Sequence, residues 1–287
     1  MPSLIDLRRR IRSVKNTQQV TKAMKMVSAA KLRRAQDRVI AARPYAAMFR
    51  QVLADIAAAV AGDEDAGSHP LLARRPEKRI LLVLLTADRG LAGAFNTNLL
   101  KASQHFIATR PDAEVELYLL GRKGRDFWRK REVGIQAERI GISQKPAYAD
   151  ATQVAGEIGG RFERAETDAV YLLYNEFKGV LAQKLTIARV LPAEVPEQRG
   201  AAPNFIFEQP PAELLGTLLP RYFEMAIYQA MLESAAAEQA ARMTAMDAAT
   251  SNAGDMIEKL TLYMNRVRQA SITREIIEVV SGATVQV

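Results

Sequence analysis

Between Met243 and Ser271 the chain reads "MTAMDAATSNAGDMIEKLTLYMNRVRQAS". The stretch holds no proline, and its apolar and small residues return in alternating steps of four and three. Met243, Met246, Thr250, Ala253, Ile257, Leu260, Met264, Val267 and Ser271 mark them. Such steps keep one narrow stripe facing a single neighbour, which is a coiled-coil seam and not the wider apolar face of a surface helix. The same register extends upstream through Leu218, Tyr222, Met225, Gln229, Leu232, Ala236 and Gln239. Three or four heptads suffice for supercoiling, and this run has about eight. One helix is predicted from "PPAELLGTLLPRY" to about Ser281. At about 1.5 Å per residue it would be of order 100 Å long. Pro220 lies inside it and is expected to bend it near its base.

A second seam stands at the opposite end of the chain. Leu4, Leu7, Ile11 and Val14 step by three and four, and after a phase shift Val39, Ala42, Ala46, Phe49, Leu53, Ile56 and Val60 do the same. Pro44 is expected to kink or break this helix. The intervening "TKAMKMVSAAKLRRAQ" (Thr21–Gln36) shows no single stripe. Here Val20, Met24 or Val27 is expected to take the inner contact in turn as the seam drifts. Met24 and Met26 lie about 200° apart on a helix, so one of them points outward. Residues 1–56 carry 13 Lys or Arg against 3 acids, whereas residues 207–287 carry 6 against 10. Opposite charge balances and two seams at the two ends predict an intramolecular antiparallel coiled coil.

The middle of the chain follows a different period. "RILLVLL" (Arg79–Leu85) is a continuous apolar run, as in a buried parallel strand. A helix to about Thr109, a strand at "EVELYLLG" (Glu114–Gly121) and a helix near Ala149–Ala165 come next. "DAVYLLYNEF" (Asp168–Phe177) and "QKLTIARVL" (Gln183–Leu191) are predicted to pair as a hairpin. The fold class is therefore α/β plus long helices, with a Rossmann-like α/β domain inserted between the two arms of the coiled coil. The expected divisions are a helix over 1–60, a linker over 61–78, the α/β domain over 79–195, a connecting loop over 196–210 and a second helix over 211–287.

Composition narrows the function classes. The chain of 287 residues is 48% hydrophobic and 25% charged, without cysteine. Thiolate metal sites and disulfides are excluded, and a cytoplasmic protein is the default expectation. No apolar run approaches the roughly 18 residues of a membrane span. The N-terminus lacks the apolar core of a secretory signal. The net charge of +8 leaves a basic N-terminal arm, which fits nucleic acid, anionic lipid, or a solvated face balanced by an acidic partner. "TADRGLAGAFN" (Thr86–Asn96) occupies the strand-to-helix position of phosphate loops but matches neither glycine fingerprint, and the same holds for "GRKG" (Gly121–Gly124). Structural turn glycines are the reading for both. The two histidines, His69 and His105, sit in the linker and on a helix, with no paired carboxylates at a fixed spacing. No catalytic set, metal site or cofactor site is expected. Two further classes stay open on the residues alone: a basic coiled-coil binder of nucleic acid, and an α/β enzyme with helical arms.

The two ends decide between them. "RIRSVKNTQQVTKAMKMVSAAKLRRAQ" and "EQAARMTAMDAATSNAGDMIEKLTLYMNRVRQASITREIIEVVSGA" resemble the two signature regions of the gamma subunits of F-type ATP synthases. "TADRGLAGAFNTNL" and "YNEFKGV" are similar to that family's middle motifs, with Ala92 where many members have cysteine. The resemblance covers essentially the whole chain. It implies a central-stalk rotor without a catalytic site of its own, coupling ion flow to ATP chemistry on neighbouring beta subunits. Its implied partners are three alpha and three beta subunits, the epsilon subunit and the membrane c-ring, with no nucleic acid. Its implied place is the cytoplasmic face of the bacterial inner membrane, peripherally. Matched to the family's contact positions, Met24, Arg242, Arg268, Gln269 and Thr273 would face the beta subunits, and Phe207 and Glu208 the c-ring loops. Small residues such as Ala29, Ala30, Ala240 and Ala241 would suit a shaft face that turns in a bearing. Lys25 and the basic residues from Lys31 to Arg34 would face acidic loops of the ring.

Overall fold

The structure, a computed structural model, describes residues 3–59, 69–193 and 208–284. They group into two compact units, one of residues 1–28 with 243–287 and one of residues 29–242. Two long helices contribute to both: α1 (Leu4–Ala59) and α5 (Pro211–Thr284).

In the first unit α1 and α5 run antiparallel. Lys25 Nζ lies 2.6 Å from Asp247 Oδ1, and the hydroxyls of Thr21 and Thr250 are 2.8 Å apart. Gln18 Nε2 donates to the Thr250 carbonyl at 3.3 Å. Partner numbers rise on α5 as they fall on α1. Every seam position expected on α5 from Met243 to Ser271 is buried or half-buried, as the register requires.

The seam of α1 departs from its expectation. No phase shift occurs. Leu4, Leu7, Ile11, Val14, Gln18, Thr21, Lys25, Ser28, Leu32, Ala35, Val39, Ala42, Ala46, Phe49, Leu53 and Ile56 alternate steps of three and four without a break. All of them are buried or half-buried. Val20 and Val27 do not take the inner contact: they are 57% and 56% exposed. The inner places belong to Thr21 and Ser28, 8% and 2% exposed. Side chains of this size let the two helices approach, and the Thr21 hydroxyl accepts that of Thr250. The Thr21 hydroxyl also donates to the Gln18 carbonyl.

Replacing Thr21 and Thr250 together by Val is expected to leave thermal stability within about 1 kcal/mol or raise it, because removing both partners of a buried polar pair strands neither. A loss above about 2 kcal/mol in a melting experiment would show that the hydroxyls themselves hold the helices together.

Pro44 neither ends nor breaks α1, which passes through it. Pro44 and Ile40 are both exposed. The carbonyl that loses its helical partner at Pro44 is therefore on the wet side, where water replaces the bond.

The second unit is built on a five-stranded sheet of order β3-β2-β1-β4-β5. The strands are β1 (Arg79–Leu85), β2 (Glu114–Leu120), β3 (Ile135–Arg139), β4 (Ala169–Phe177) and β5 (Gln183–Leu191). The first four in sequence are parallel, and β4 and β5 form the expected antiparallel hairpin. Helices α2 (Phe95–Ala108), α3 (Arg122–Trp128) and α4 (Tyr148–Glu163) complete the unit. The uninterrupted apolar run of β1 is explained by its central place, with all six residues from Ile80 to Leu85 buried.

Alternation across the sheet sends Leu81, Val83 and Leu85 toward one core. There they meet Ile158 and Phe162 of α4, Leu53 and Ile56 of α1, and Leu219, Phe223 and Ile227 of α5. So α5 has a second apolar face in this unit besides its seam. From Met231 to Ala240 it is buried on every side. Ala240 is therefore not on an outer face, and Ala29 and Ala241 are only half-exposed.

Two short elements were not foreseen. Helix α3 is polar and contains Gly124, and β3 is a brief edge strand with mixed residues. The expected linker, 61–78, contains a short helical turn. His69 Nδ1 accepts the Leu71 N–H at 3.2 Å and caps a short helical turn over Pro70–Leu72. Leu71 is buried there, and its carbonyl accepts the Ala193 N–H. Residues 61–68 lie outside the described residues.

Candidate partner-contact site

The strand order reverses between β1 and β4, and in open parallel sheets the crevice at that point is the usual place for a nucleotide. In this chain α5 occupies it. The loop that leaves β1, "TADRGLAG", has the side chains of Thr86 and Asp88 committed internally. Asp88 accepts the N–H groups of Arg122 and Gly141, each at 3.0 Å, and the Ser143 hydroxyl at 2.7 Å. Asn96 Oδ1 accepts the Ala87 N–H at 3.0 Å. Thr86 Oγ1 accepts the Gly124 N–H at 2.8 Å, so the first turn of α3 donates to protein. The glycines of both loops are therefore turn and close-approach residues.

Arg242 closes the crevice. It is 8% exposed, and its Nη2 donates to the carbonyl of Gly90 at 3.2 Å and to Glu238 Oε1 at 2.7 Å. Burial pushes the Glu238 carboxyl upward, while the charge and hydrogen bond of Arg242 draw it back. As it stands, Arg242 is directed into its own chain. At the other lip Glu233, 2% exposed, accepts the Phe177 N–H at the end of β4 at 3.0 Å. Arg43 of α1 donates to the same carboxylate at 3.1 Å and to the Phe177 carbonyl at 3.1 Å. Sequence reasoning missed both glutamates. The available signal was two acids within an alanine-rich run, one of them four residues before an arginine.

Among the described residues no three His, Asp or Glu side chains gather so as to hold a metal ion. No described helix is long and apolar enough to cross a membrane.

The other positions expected to face the beta subunits, Met24, Arg268, Gln269 and Thr273, lie in the first unit. Arg268, Gln269 and Thr273 are exposed on one stretch of α5, and the Thr273 hydroxyl donates to the Gln269 carbonyl at 3.0 Å. Beside them an open groove of about 670 Å3 is lined by Leu4, Arg8, Tyr263, Arg266 and Arg274 among others. Met24 is half-buried, and Met26, 62% exposed, is the methionine that points outward. Lys25 is half-buried in its pair with Asp247, whereas Lys31, Arg33 and Arg34 are exposed or half-exposed. Apolar side chains crowd the outside of this unit: Ile5, Val20, Val27, Leu262, Ile272, Ile276, Ile277, Val279 and Val280 are all 49% exposed or more. Glu208 is exposed in the second unit, and Phe207 lies outside the described residues.

The sequence profile of the ATP synthase family matches residues 3–285. An ATP synthase gamma chain of Solibacter usitatus is 66% identical over 99% of both chains, and one of Pelotomaculum thermopropionicum is 49% identical over 99% of both. Among solved structures, a chain of the Euglena gracilis mitochondrial ATP synthase (OSCP/F1/c-ring) superposes with a TM-score of 0.67 at 19% identity. That match covers 99% of this chain and 94% of the other. A chain of the Tetrahymena thermophila mitochondrial ATP synthase central stalk and c-ring gives 0.59 at 24% identity, over 80% and 99%. At these identities the structural matches establish the fold.

Proposed function

We propose, from the premise that this chain belongs to the ATP synthase gamma-chain family, that it is the central-stalk rotor of an F-type ATP synthase. The observation that carries the proposal is the inverted helix pair of the first unit. Thr21, Ser28 and Gln18 face inward, while Val20, Met26 and Val27 face out, joined by the apolar residues from Ile272 to Val280. Apolar side chains in this density on an outer face are covered by something in the working molecule. A ring of three alpha and three beta subunits enclosing the helices would cover them while leaving the shaft free to turn.

On this reading Arg268, Gln269, Thr273 and Met24 meet the beta subunits, and Arg242 holds the shaft to its own α/β fold as well as lying near the ring. The α/β fold rests with the epsilon subunit on the c-ring, with Glu208 and Phe207 toward its loops. Attachment to the cytoplasmic face of the bacterial inner membrane is peripheral, through the c-ring. Ion flow, of protons in this reading, turns the rotor. The asymmetric shaft then biases each beta subunit through its states, because a contact drives a conformational change only by favouring one state over another. Nucleotide chemistry belongs to the beta subunits, and the rotor needs no cofactor.

Co-purification tests this directly. The tagged chain is expected to bring down alpha, beta and epsilon subunits, and recovery alone under conditions that keep the complex intact would overturn the reading. Changing Arg268 and Gln269 to Ala is expected to weaken assembly or coupled turnover. Because both are exposed, the melting of the isolated chain should move by less than about 0.5 kcal/mol. Unchanged assembly and turnover would remove these two residues from the contact.

A further inference from the structure

Glu233, 2% exposed, unites three elements. It belongs to α5, takes the backbone N–H of Phe177 at the end of β4 at 3.0 Å, and is gripped by Arg43 of α1 through Nε at 3.3 Å and Nη2 at 3.1 Å. The same Arg43 Nη2 reaches the Phe177 carbonyl at 3.1 Å, so both backbone groups of Phe177 are held. An ionised carboxylate buried to this degree is costly unless charge and hydrogen bonds compensate it. Here each oxygen has a donor. Five residues further along α5, Glu238 accepts from Arg242 of the same helix, which donates in turn to the carbonyl of Gly90 on the loop that leaves β1. The two carboxylates thus sit at the two lips of the crevice between β1 and β4, where a Rossmann-like sheet ordinarily places its ligand.

We infer that this crevice serves as a torque joint, in which the Glu233–Arg43–Phe177 clasp transmits rotation between the α/β fold and the two helices. The inference rests on the rotor reading above. Hydrophobic contacts between sheet and helices are non-directional. A charge-assisted grip on the Glu233 carboxylate and on the Phe177 backbone adds a fixed geometry. Packing in the shared core keeps the elements together, and the clasp fixes the angle between them under load. Glu233 and Arg43 are positioning residues in this scheme, since they touch no substrate.

The test uses the whole complex reconstituted in vesicles, with Glu233→Gln and, separately, Arg43→Lys. Glutamine keeps an acceptor for Phe177 but loses the ionic grip, and Arg43, whose side chain is 47% exposed, is the variant less liable to unfold the chain. Both variants are expected to hydrolyse ATP without a gradient within about twofold of the parent, while ATP-driven ion pumping against an imposed gradient slows by about tenfold. A merely structural role would lower hydrolysis and pumping in parallel through lost assembly. That outcome, unchanged coupling, or failure of both variants to fold would each overturn the proposal. If the parent chain does not assemble with the ring at all, the rotor reading itself fails, and the two failures are thereby distinguished.

Discussion

Gly121→Ala is expected to destabilise the α/β unit by upward of about 4 kcal/mol, enough to leave much of it unfolded. Gly121 directly follows β2 at a φ of +99°, and a Cβ built there would lie 2.0 Å from the Thr86 carbonyl oxygen. That oxygen is on backbone and cannot swing aside. Relieving the clash means parting the ends of β1 and β2, where Thr86 N–H donates to the Leu120 carbonyl at 2.7 Å and Thr86 Oγ1 to the same oxygen at 3.1 Å.

Two other glycines separate the causes. Gly141 has a φ of +89° with nothing within 4 Å of its notional Cβ, so alanine there bears backbone strain alone, about 1–2 kcal/mol. Gly156 lies within α4 with open space around it, and alanine should stabilise by about 0.5–1 kcal/mol. Urea denaturation monitored by circular dichroism would rank the three. Equal losses at Gly121 and Gly141 would show that the steric contact with Thr86 has no weight.

The fold was legible where polarity and position agree. The seam of α5 and the outer stretches of α1 announce themselves because Leu, Ile, Met and Ala take the inner places. Between Gln18 and Ser28 the signal inverts. Polar Thr21 and Ser28 lie inside because small hydroxyls suit close helix contact, and apolar Val20 and Val27 lie outside. A hydrophobic pattern alone must then invent a drift that the backbone does not make. The same inversion is what an outer sleeve would select, so the misreading and the proposed function have one cause.

The clasp was illegible for a different reason. Glu233 and Glu238 look like solvated positions on an amphipathic helix, and only the approach of the sheet turns that segment wholly inward. Arg43 comes from another helix and Phe177 acts through its backbone, so no local spacing announces the set. Helix α3 and strand β3 fall short for want of length. Seven mostly polar residues and a five-residue edge strand have too little apolar content to stand out from a loop.

Removing one residue from α1 in the first unit is expected to abolish pairing of the helices, whereas removing a whole heptad from both is expected to preserve it. Deleting Asn16 alone rotates the N-terminal part of α1 by about 100° relative to the remainder of the helix. Leu4, Leu7, Ile11 and Val14 would then leave the seam while Thr21 and Lys25 stay in it. The helix pair would have to expose one set or the other. Deleting 12–18 from α1 together with 254–260 from α5 keeps the seam intact. Ile11 would then be joined by Thr21 as the next inner residue, and Ala253 by Met264, each at an ordinary step of three or four. The two cuts face one another: Gln18 Nε2 lies 3.2 Å from the notional Cβ of Gly254.

Helical content and melting would report the difference. A large loss is expected for the single deletion and a small one for the paired heptads. The paired deletion also separates folding from function. It shortens the pair by about 10 Å and carries Arg268, Gln269 and Thr273 that far along the shaft axis. The folded, shortened rotor should therefore lose coupled turnover in the complex. Full turnover would mean that the height of those residues on the shaft is immaterial, and with it their contact with the beta subunits. Loss of helicity equal to that of the single deletion would instead overturn the continuous seam through which α1 pairs with α5.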